Sequence, residues 1–148
     1  MDKKMAEEIS AIIDNKVKFR DIEAKYFLAY WQNGDSKNYD EFLKMASGAG
    51  IPEARISLAK AYYVDFFVKD DTHNLDIAAE YLIDNYEKLD QEGKLILASI
   101  LANELFKDHT KQKAQEVVAD IQKGLGDQKI ILVQADNKRY YYQIDSND

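Results

Sequence analysis

The sequence lacks cysteine altogether, and this absence excludes several classes of site. Without a thiol there is no disulfide framework, no thiolate metal ligand and no cysteine nucleophile. Long hydrophobic runs are missing too, because the longest mostly apolar stretch, Leu95–Ala102, is far shorter than a membrane-spanning helix. The opening residues MDKKMAEEIS carry charges but no apolar core like that of a signal peptide. We therefore expect a soluble, cytoplasmic protein.

Positive charge is in deficit. The chain carries 20 Lys and Arg against 27 Asp and Glu, which gives a formal net charge of −7. This acidic balance disfavours general affinity for nucleic acid or anionic membranes and favours a cationic partner. The hydrophobic content of 46% argues against disorder, and a length of 148 residues suits one domain. We predict a single domain over residues 1–148.

Apolar residues recur at helical spacing through most of the chain. The single proline, Pro52, follows SGAG and suits the first turn of a helix that reaches about Val68. Asp35 or Ser36 is a candidate N-cap of an earlier helix, and Asp90 of a later one. The pattern predicts a leading helix at about 2–18, followed by three αα-hairpins that end at Gly124. We therefore expect about seven helices.

The predicted hairpins share an internal repeat. Each first helix contains a Leu-Ala pair, at Leu28-Ala29, Leu58-Ala59 and Leu97-Ala98, in steps of 30 and 39 residues. The small Ala lets helices approach closely while its bulky neighbour fills the groove, and one hairpin needs another stacked on it. This pattern predicts a short α-solenoid over residues 1–124. The alternative is an irregular helical bundle in which Leu-Ala pairs recur by chance.

The segment Gly50–Leu89 resembles the Sel-type (suppressor-enhancer-of-lin-like) repeat, a relative of the tetratricopeptide repeat. The resemblance rests on Ala, Leu-Ala and Tyr in the first helix, Asp and Lys in the loop, and Ala before Tyr-Leu in the second helix. With the flanking hairpins, it covers Glu23–Gly124. It implies an α-solenoid interaction module, of a kind that binds partners on a curved surface rather than doing chemistry.

The C-terminal stretch Lys129–Asp145 lacks helical spacing. Two short apolar or aromatic runs flank the polar break ADNK, as in a β-hairpin. Because a lone hairpin is marginally stable in water, one face is expected to pack on the last helix. We predict that residues 129–145 form a hairpin that caps the open end of the solenoid.

Alternation along the second strand places one set of residues on a common face: Tyr140, Tyr142 and Ile144. A two-residue loop brings Ile131 and Val133 to this face, whereas a three-residue loop brings Ile130 and Leu132 there instead. Tyr140 and Tyr142 are then expected to cap the helices. Tyr141 and the unpaired strand edges are left for a partner or for a homodimer.

The sequence offers no catalytic constellation. His73 and His109 lie in polar loops, each beside an acid, without HExxH or similar metal-ligand spacing. The Gly-x-Gly within Lys123–Lys129 lacks both the Walker spacing and a following helix, which indicates a helix stop and a linker. Acidic pairs have no sequence reason to share a dry cleft. We predict a protein that is not an enzyme and has neither metal nor cofactor.

Aromatic clusters and nearby acids are the candidates for binding a partner. Tyr and Trp are favoured interface anchors, and a helix cannot point adjacent aromatic residues all inward. Acids would attract a basic partner. The predicted partner-binding residues are Tyr30, Trp31, Tyr63, Asp65, Phe67, Asp70, Asp71, Asp76 and Tyr141.

The expected function is protein binding. Small acidic repeats of this type are similar to ones encoded beside toxins, so we expect a bacterial immunity protein that neutralises a cognate toxin. Its acids would cover cationic groups of the toxin's active site. The alternative is an adaptor or secretion chaperone that holds an extended client peptide in the solenoid groove.

Overall fold

A computed structural model of the chain describes residues 2–103, 110–136 and 139–145. The helices in these ranges are α1 (Lys3–Ile13), α2 (Phe19–Asn33), α3 (Ser36–Gly48), α4 (Pro52–Lys69), α5 (Leu75–Asp84), α6 (Gln91–Ala102) and α7 (Thr110–Gln122). A short 3₁₀ helix, Tyr86–Lys88, follows α5, and the strands are β1 (Lys129–Gln134) and β2 (Tyr140–Asp145). The predicted mainly helical fold with a C-terminal β-hairpin is confirmed. The solenoid arrangement stays a prediction.

Helix starts follow the predicted capping residues. Asp35 accepts a hydrogen bond from the Asn38 N–H, Asp90 accepts one from the Gly93 N–H at 2.7 Å, and Pro52 opens α4. The leading helix is shorter than predicted, since it ends at Ile13 instead of about residue 18. Asn15 shortly after it has a φ of 60°, a left-handed conformation that interrupts a helix and that Asn tolerates.

The chain divides into two compact units, Met1–Leu58 and Ala59–Asp148, with the boundary inside α4. The expectation of one domain over residues 1–148 stays a prediction. In unit 1, α1 and α2 both pack on α3. Its buried core is mainly Met5, Ile9, Ile12, Phe19, Phe42, Leu43, Ala46 and Ala54. No helix within the described ranges has the length and apolar character needed to cross a membrane.

Unit 2 is built around α6, which packs against α5, α7 and β2. Its buried residues come from several elements: Phe66, Leu75, Ala78, Leu82, Leu97, Ala98, Ile100, Leu101, Val117 and Ile121. The Leu-Ala pattern is reflected in the burial of Leu97 and Ala98, as of Leu58 and Ala59, but it fails at the first pair, where 55% of Leu28 is exposed. A shared Leu-Ala pair therefore does not give a shared environment.

The hairpin adopts the register of the three-residue loop. Leu132 lies opposite Tyr142 and Ile130 lies opposite Ile144, so these residues share one face. The Ala135 N–H donates to the Arg139 carbonyl at 2.8 Å, which closes the loop. Two loop residues, 137 and 138, lie outside the described ranges.

The outer edge of β2 is bonded to side chains of α6 and of the residue after it. The Tyr140 N–H donates to Asn103 Oδ1 at 2.8 Å, and Asn103 Nδ2 donates back to the Tyr140 carbonyl at 2.9 Å. One turn earlier, Ser99 Oγ accepts from the Tyr142 N–H at 2.9 Å and donates to the Leu95 carbonyl. The expectation that both strand edges stay unpaired is therefore wrong for β2.

Arg139, at the start of β2, is bonded to the end of α4. Its Nη1 donates to the carbonyls of Phe66 and Phe67, at 3.2 and 3.0 Å, in the last turn of the helix. Carbonyls there have no partner within the helix, and a cation is favoured at the negative end of the helix dipole. Asp136 accepts from Arg139 Nε at 2.6 Å and orients the guanidinium. The loop end of the hairpin is thereby held at α4.

We expect Asn103→Ala to destabilise unit 2. Asn103 is 1% exposed, and its loss leaves the amide and carbonyl of Tyr140 without their partners. The expected fall in the free energy of unfolding is about 3 kcal/mol, measured by urea denaturation. Gln143→Ala, at an exposed position of β2, serves as the control and is expected to change stability by less than about 0.5 kcal/mol. Equal stability of the two variants would contradict the docking role of Asn103.

Candidate protein-binding surfaces

A cluster of large apolar side chains lies exposed on the second half of α2. We call it the α2 patch; its members are Phe27, Leu28, Tyr30 and Trp31. Trp31 is 71% exposed, whereas tryptophan in folded proteins is usually mostly buried. The rings of Tyr30 and Trp31 both lie 6.3 Å from the ring of Phe27, as spacings of three and four residues on a helix allow. An exposed apolar cluster of this kind is typical of an interaction site.

Other aromatic residues of unit 1 hold α2 in place and leave the patch uncovered. Phe42 of α3 stacks with Phe19 and with Tyr26 of α2, at centroid distances of 5.6 and 4.8 Å. Tyr39 of α3 meets Phe27 edge-on at 5.6 Å. Packing of α2 against α3 thus occupies one side of the helix. The sequence FLAYW has too many large residues for that side alone, so several remain outside.

A recess lies where α2 ends. Gly34 has a φ of 69°, a left-handed conformation that ends the helix and turns the chain toward α3. The recess has a volume of about 430 Å³ and is lined by Tyr30, Trp31, Gly34 and Ser36. None of these lining residues is an acid, a lysine, an arginine or a histidine. The recess therefore extends the α2 patch as an uncharged surface.

Three predicted binding residues form an aromatic cluster within unit 2. Phe67 meets Tyr63 at 4.8 Å and Tyr141 at 5.8 Å, both edge-on. All three are half-buried, and burial raises the pKa of the Tyr63 hydroxyl. Tyr141 was expected on the face left for a partner, but its ring packs on α4. These contacts give the cluster a structural role, and its use by a partner stays a prediction.

The four predicted acids lie at the end of α4 and the start of α5. Asp70, Asp71 and Asp76 are exposed, and Asp65 forms an exposed ion pair with Lys69 at 3.8 Å. Asp71 also shapes the loop, because its carboxylate accepts from the His73 N–H at 2.9 Å. Between positions 65 and 92 the sequence holds nine acids and two lysines. The net charge of this stretch, −7, equals that of the whole chain.

Unit 2 also contains a cleft of about 470 Å³ among α5, the 3₁₀ helix, α6 and α7. Its lining is part apolar and part charged: Ile83, Tyr86, Leu97, Lys113, Glu116, Val117, Asp120 and Lys123. Asp120 accepts from the Tyr86 hydroxyl and from Lys94 Nζ, the latter at 3.0 Å. These bonds hold the pKa of Asp120 below its usual range, and burial raises that of Tyr86. The negative charge of Asp120 is thus already balanced by Lys94 and stabilised by the Tyr86 hydroxyl.

The described part of the chain contains no candidate metal site. No group of three or more His, Asp or Glu residues there is arranged to hold a metal ion. His73 is exposed in the loop before α5, and His109 lies outside the described residues. The helix predicted to follow Asp90 is described from Gln91 to Ala102.

Sequence reasoning missed Phe27 and Leu28 as members of the patch. Their positions beside Tyr30 and Trp31 indicate exposure, because the apolar residues of α2 are distributed around the helix instead of along one stripe. Tyr30 and Trp31 both line the recess and both contact Phe27, while their role in binding a partner stays a prediction.

Comparison with protein-family models gives no match for this chain. Comparisons with curated proteins and with solved structures give none either.

We expect the Tyr26 hydroxyl to make unit 1 less stable at high pH. Burial, the negative charge of Glu8 and the bond donated to Glu8 at 3.1 Å raise the pKa of Tyr26 from 10.0 to about 12. A raised folded-state pKa means that this stabilisation is present below pH 10 and is lost as the pH rises through about 12.

The measurement compares unfolding of the native chain and Tyr26→Phe at a series of pH values, with tyrosinate absorbance at each. Because other tyrosines titrate in the same range, only the difference between the two chains reports Tyr26. If the difference in stability between the native chain and Tyr26→Phe disappeared around pH 10, this would contradict the raised pKa of Tyr26.

Proposed function

We propose that this protein binds another folded protein, with the α2 patch as an anchor. The observation that carries the proposal is Trp31, a tryptophan left 71% exposed beside the exposed Tyr30, Phe27 and Leu28. Tryptophan and tyrosine dominate the binding energy of protein interfaces because each buries a large area with few rotatable bonds. No folding requirement of unit 1 explains their exposure. A partner that covers them supplies the missing burial.

Within this class we propose an immunity protein that neutralises a cognate bacterial toxin. The support is electrostatic, since the chain has a net charge of −7 and exposes Asp70, Asp71 and Asp76 near the end of α4. Acids on an interface accelerate capture of a basic partner and suppress binding of acidic ones. Rapid, tight capture is the property that neutralisation of a toxin requires. The proposed partner is therefore a basic folded enzyme.

The alternative role, an adaptor or secretion chaperone, is favoured by the cleft of unit 2. Ile83 is half-buried and gives the cleft an apolar group that suits a side chain of an extended peptide. An adaptor would bind an unfolded client peptide with modest affinity, whereas an immunity protein would bind a folded enzyme tightly. Titration calorimetry of the chain with the product of a neighbouring toxin gene, folded and then unfolded, separates the two roles.

We expect Trp31→Ala to weaken binding of the folded partner by about 2 kcal/mol, which is roughly a 30-fold rise in Kd. The fold should be retained, because the side chain is mostly exposed. Ile13→Ala is the matched control in the same unit, with 53% of the native side chain exposed. Its Kd should stay near that of the native chain. Equal affinities of the two variants for the partner would show that the α2 patch is not part of the interface.

We expect reversal of the acids Asp65, Asp70, Asp71 and Asp76 to lysine to slow association with the basic partner by at least about tenfold at low salt. The difference from the native chain should shrink as salt is added, because ions screen exposed charges. Stopped-flow kinetics measures both effects. The control reverses four exposed acids of unit 1: Glu7, Asp21, Asp40 and Glu41. Normal association after reversal of the first set would eliminate the electrostatic mechanism.

A further inference from the structure

Within the described ranges, the second edge of the hairpin, that of β1, has no counterpart of the bonds made by β2. Opposed residues in an antiparallel ladder alternate between pairs that exchange backbone bonds and pairs that do not. The N–H groups of Tyr140 and Tyr142 donate to Asn103 and Ser99 and not to β1. Both residues therefore lie in pairs that do not exchange backbone hydrogen bonds. The N–H and C=O groups of their opposite residues in β1 therefore also point out of the hairpin.

Three residues of β1 present such outward groups: Ile130, Leu132 and Gln134, opposite Ile144, Tyr142 and Tyr140 respectively. Among the residues that the structure describes, none accepts a hydrogen bond from their N–H groups. The side chain of Leu132, in the middle of the strand, is 50% exposed. The edge is thus apolar, hydrogen-bonding and open at its centre.

We propose that β1 pairs with β1 of a second copy of this chain, antiparallel and with Leu132 on the two-fold axis. This register places Ile130 opposite the partner's Gln134, and it uses the outward groups of all three residues in about six backbone hydrogen bonds. A register shifted by two residues in either direction would leave an outward group without a partner. The symmetric register therefore has the most complete hydrogen bonding.

The side chains of β1 are complementary to themselves in this register. Leu132 meets the partner's Leu132 across the axis, which covers the apolar side chain that each copy leaves exposed. Lys129 is the only charged residue of the strand and lies opposite the partner's Ala135, so like charges are not opposed. A two-fold interface needs such a patch because each copy supplies the same surface. These features favour a second copy over an unrelated strand.

The test uses Leu132→Pro, because proline at this position removes an outward N–H and none of the bonds between β1 and β2. Light scattering after size exclusion should show the native chain shifting from monomer to dimer as its concentration rises. Leu132→Pro should stay monomeric, whereas Leu132→Val, which keeps the N–H, should still dimerise. Unchanged circular dichroism checks that the proline variant is folded. A native chain that is monomeric at every concentration, or a folded proline variant that dimerises normally, would overturn the proposal.

A second measurement does not depend on proline. The chain has no cysteine, so Leu132→Cys introduces one thiol per copy. A short thiol-reactive cross-linker should join two copies of Leu132→Cys efficiently, because the axis brings these positions together. Glu80→Cys, at an exposed position of α5, is the control and should give little cross-linked product. Equal yields from the two variants would exclude pairing centred on Leu132.

Discussion

The side-chain amide of Asn103 fixes the position of the hairpin, because it exchanges hydrogen bonds with both backbone groups of Tyr140. Ser99 repeats the arrangement at Tyr142 with one bond. Together they serve β2 as a third strand would, and a two-stranded hairpin needs such support in water. Once β2 lies along α6, Arg139 reaches the carbonyls at the end of α4 and Tyr141 packs on Phe67. The packing of the hairpin in unit 2 thus depends on polar hydrogen bonds as well as on the burial of apolar side chains.

The aromatic residues of the two units differ in whether folding uses them. In unit 2, Tyr63, Phe67 and Tyr141 contact one another and contribute to packing. In unit 1, Phe42 stacks with Phe19 and Tyr26, whereas Phe27, Tyr30 and Trp31 further along α2 are exposed. Aromatic content alone therefore does not mark an interface. The proposal of a protein-binding function rests on Trp31 and its neighbours because their exposure has no role in folding.

Much of the fold could be predicted because it follows from local chemistry. Asp35, Pro52 and Asp90 mark helix starts, and the polar break before Arg139 marks the hairpin. Loop length stayed open between two registers, since Asp-Asn-Lys lacks the Asn-Gly signal that selects a two-residue turn. The docking of β2 could not be foreseen, because Asn103 and Ser99 lie in a stretch that reads as an ordinary helix. Exposure of Leu28 was also hidden, since its Leu-Ala pair matches ones that are buried.

Amide hydrogen exchange at Tyr140 and Tyr142 tests most directly whether α6 completes the sheet beside β2. These two N–H groups point away from β1, so the ladder between the strands does not protect them. With Asn103 and Ser99 as acceptors, both amides should exchange as slowly as those of Tyr141 and Gln143, which bond within the hairpin. Exchange at the rate of an open strand edge, with Tyr141 and Gln143 still protected, would show that the hairpin is not docked on α6 and would contradict the account.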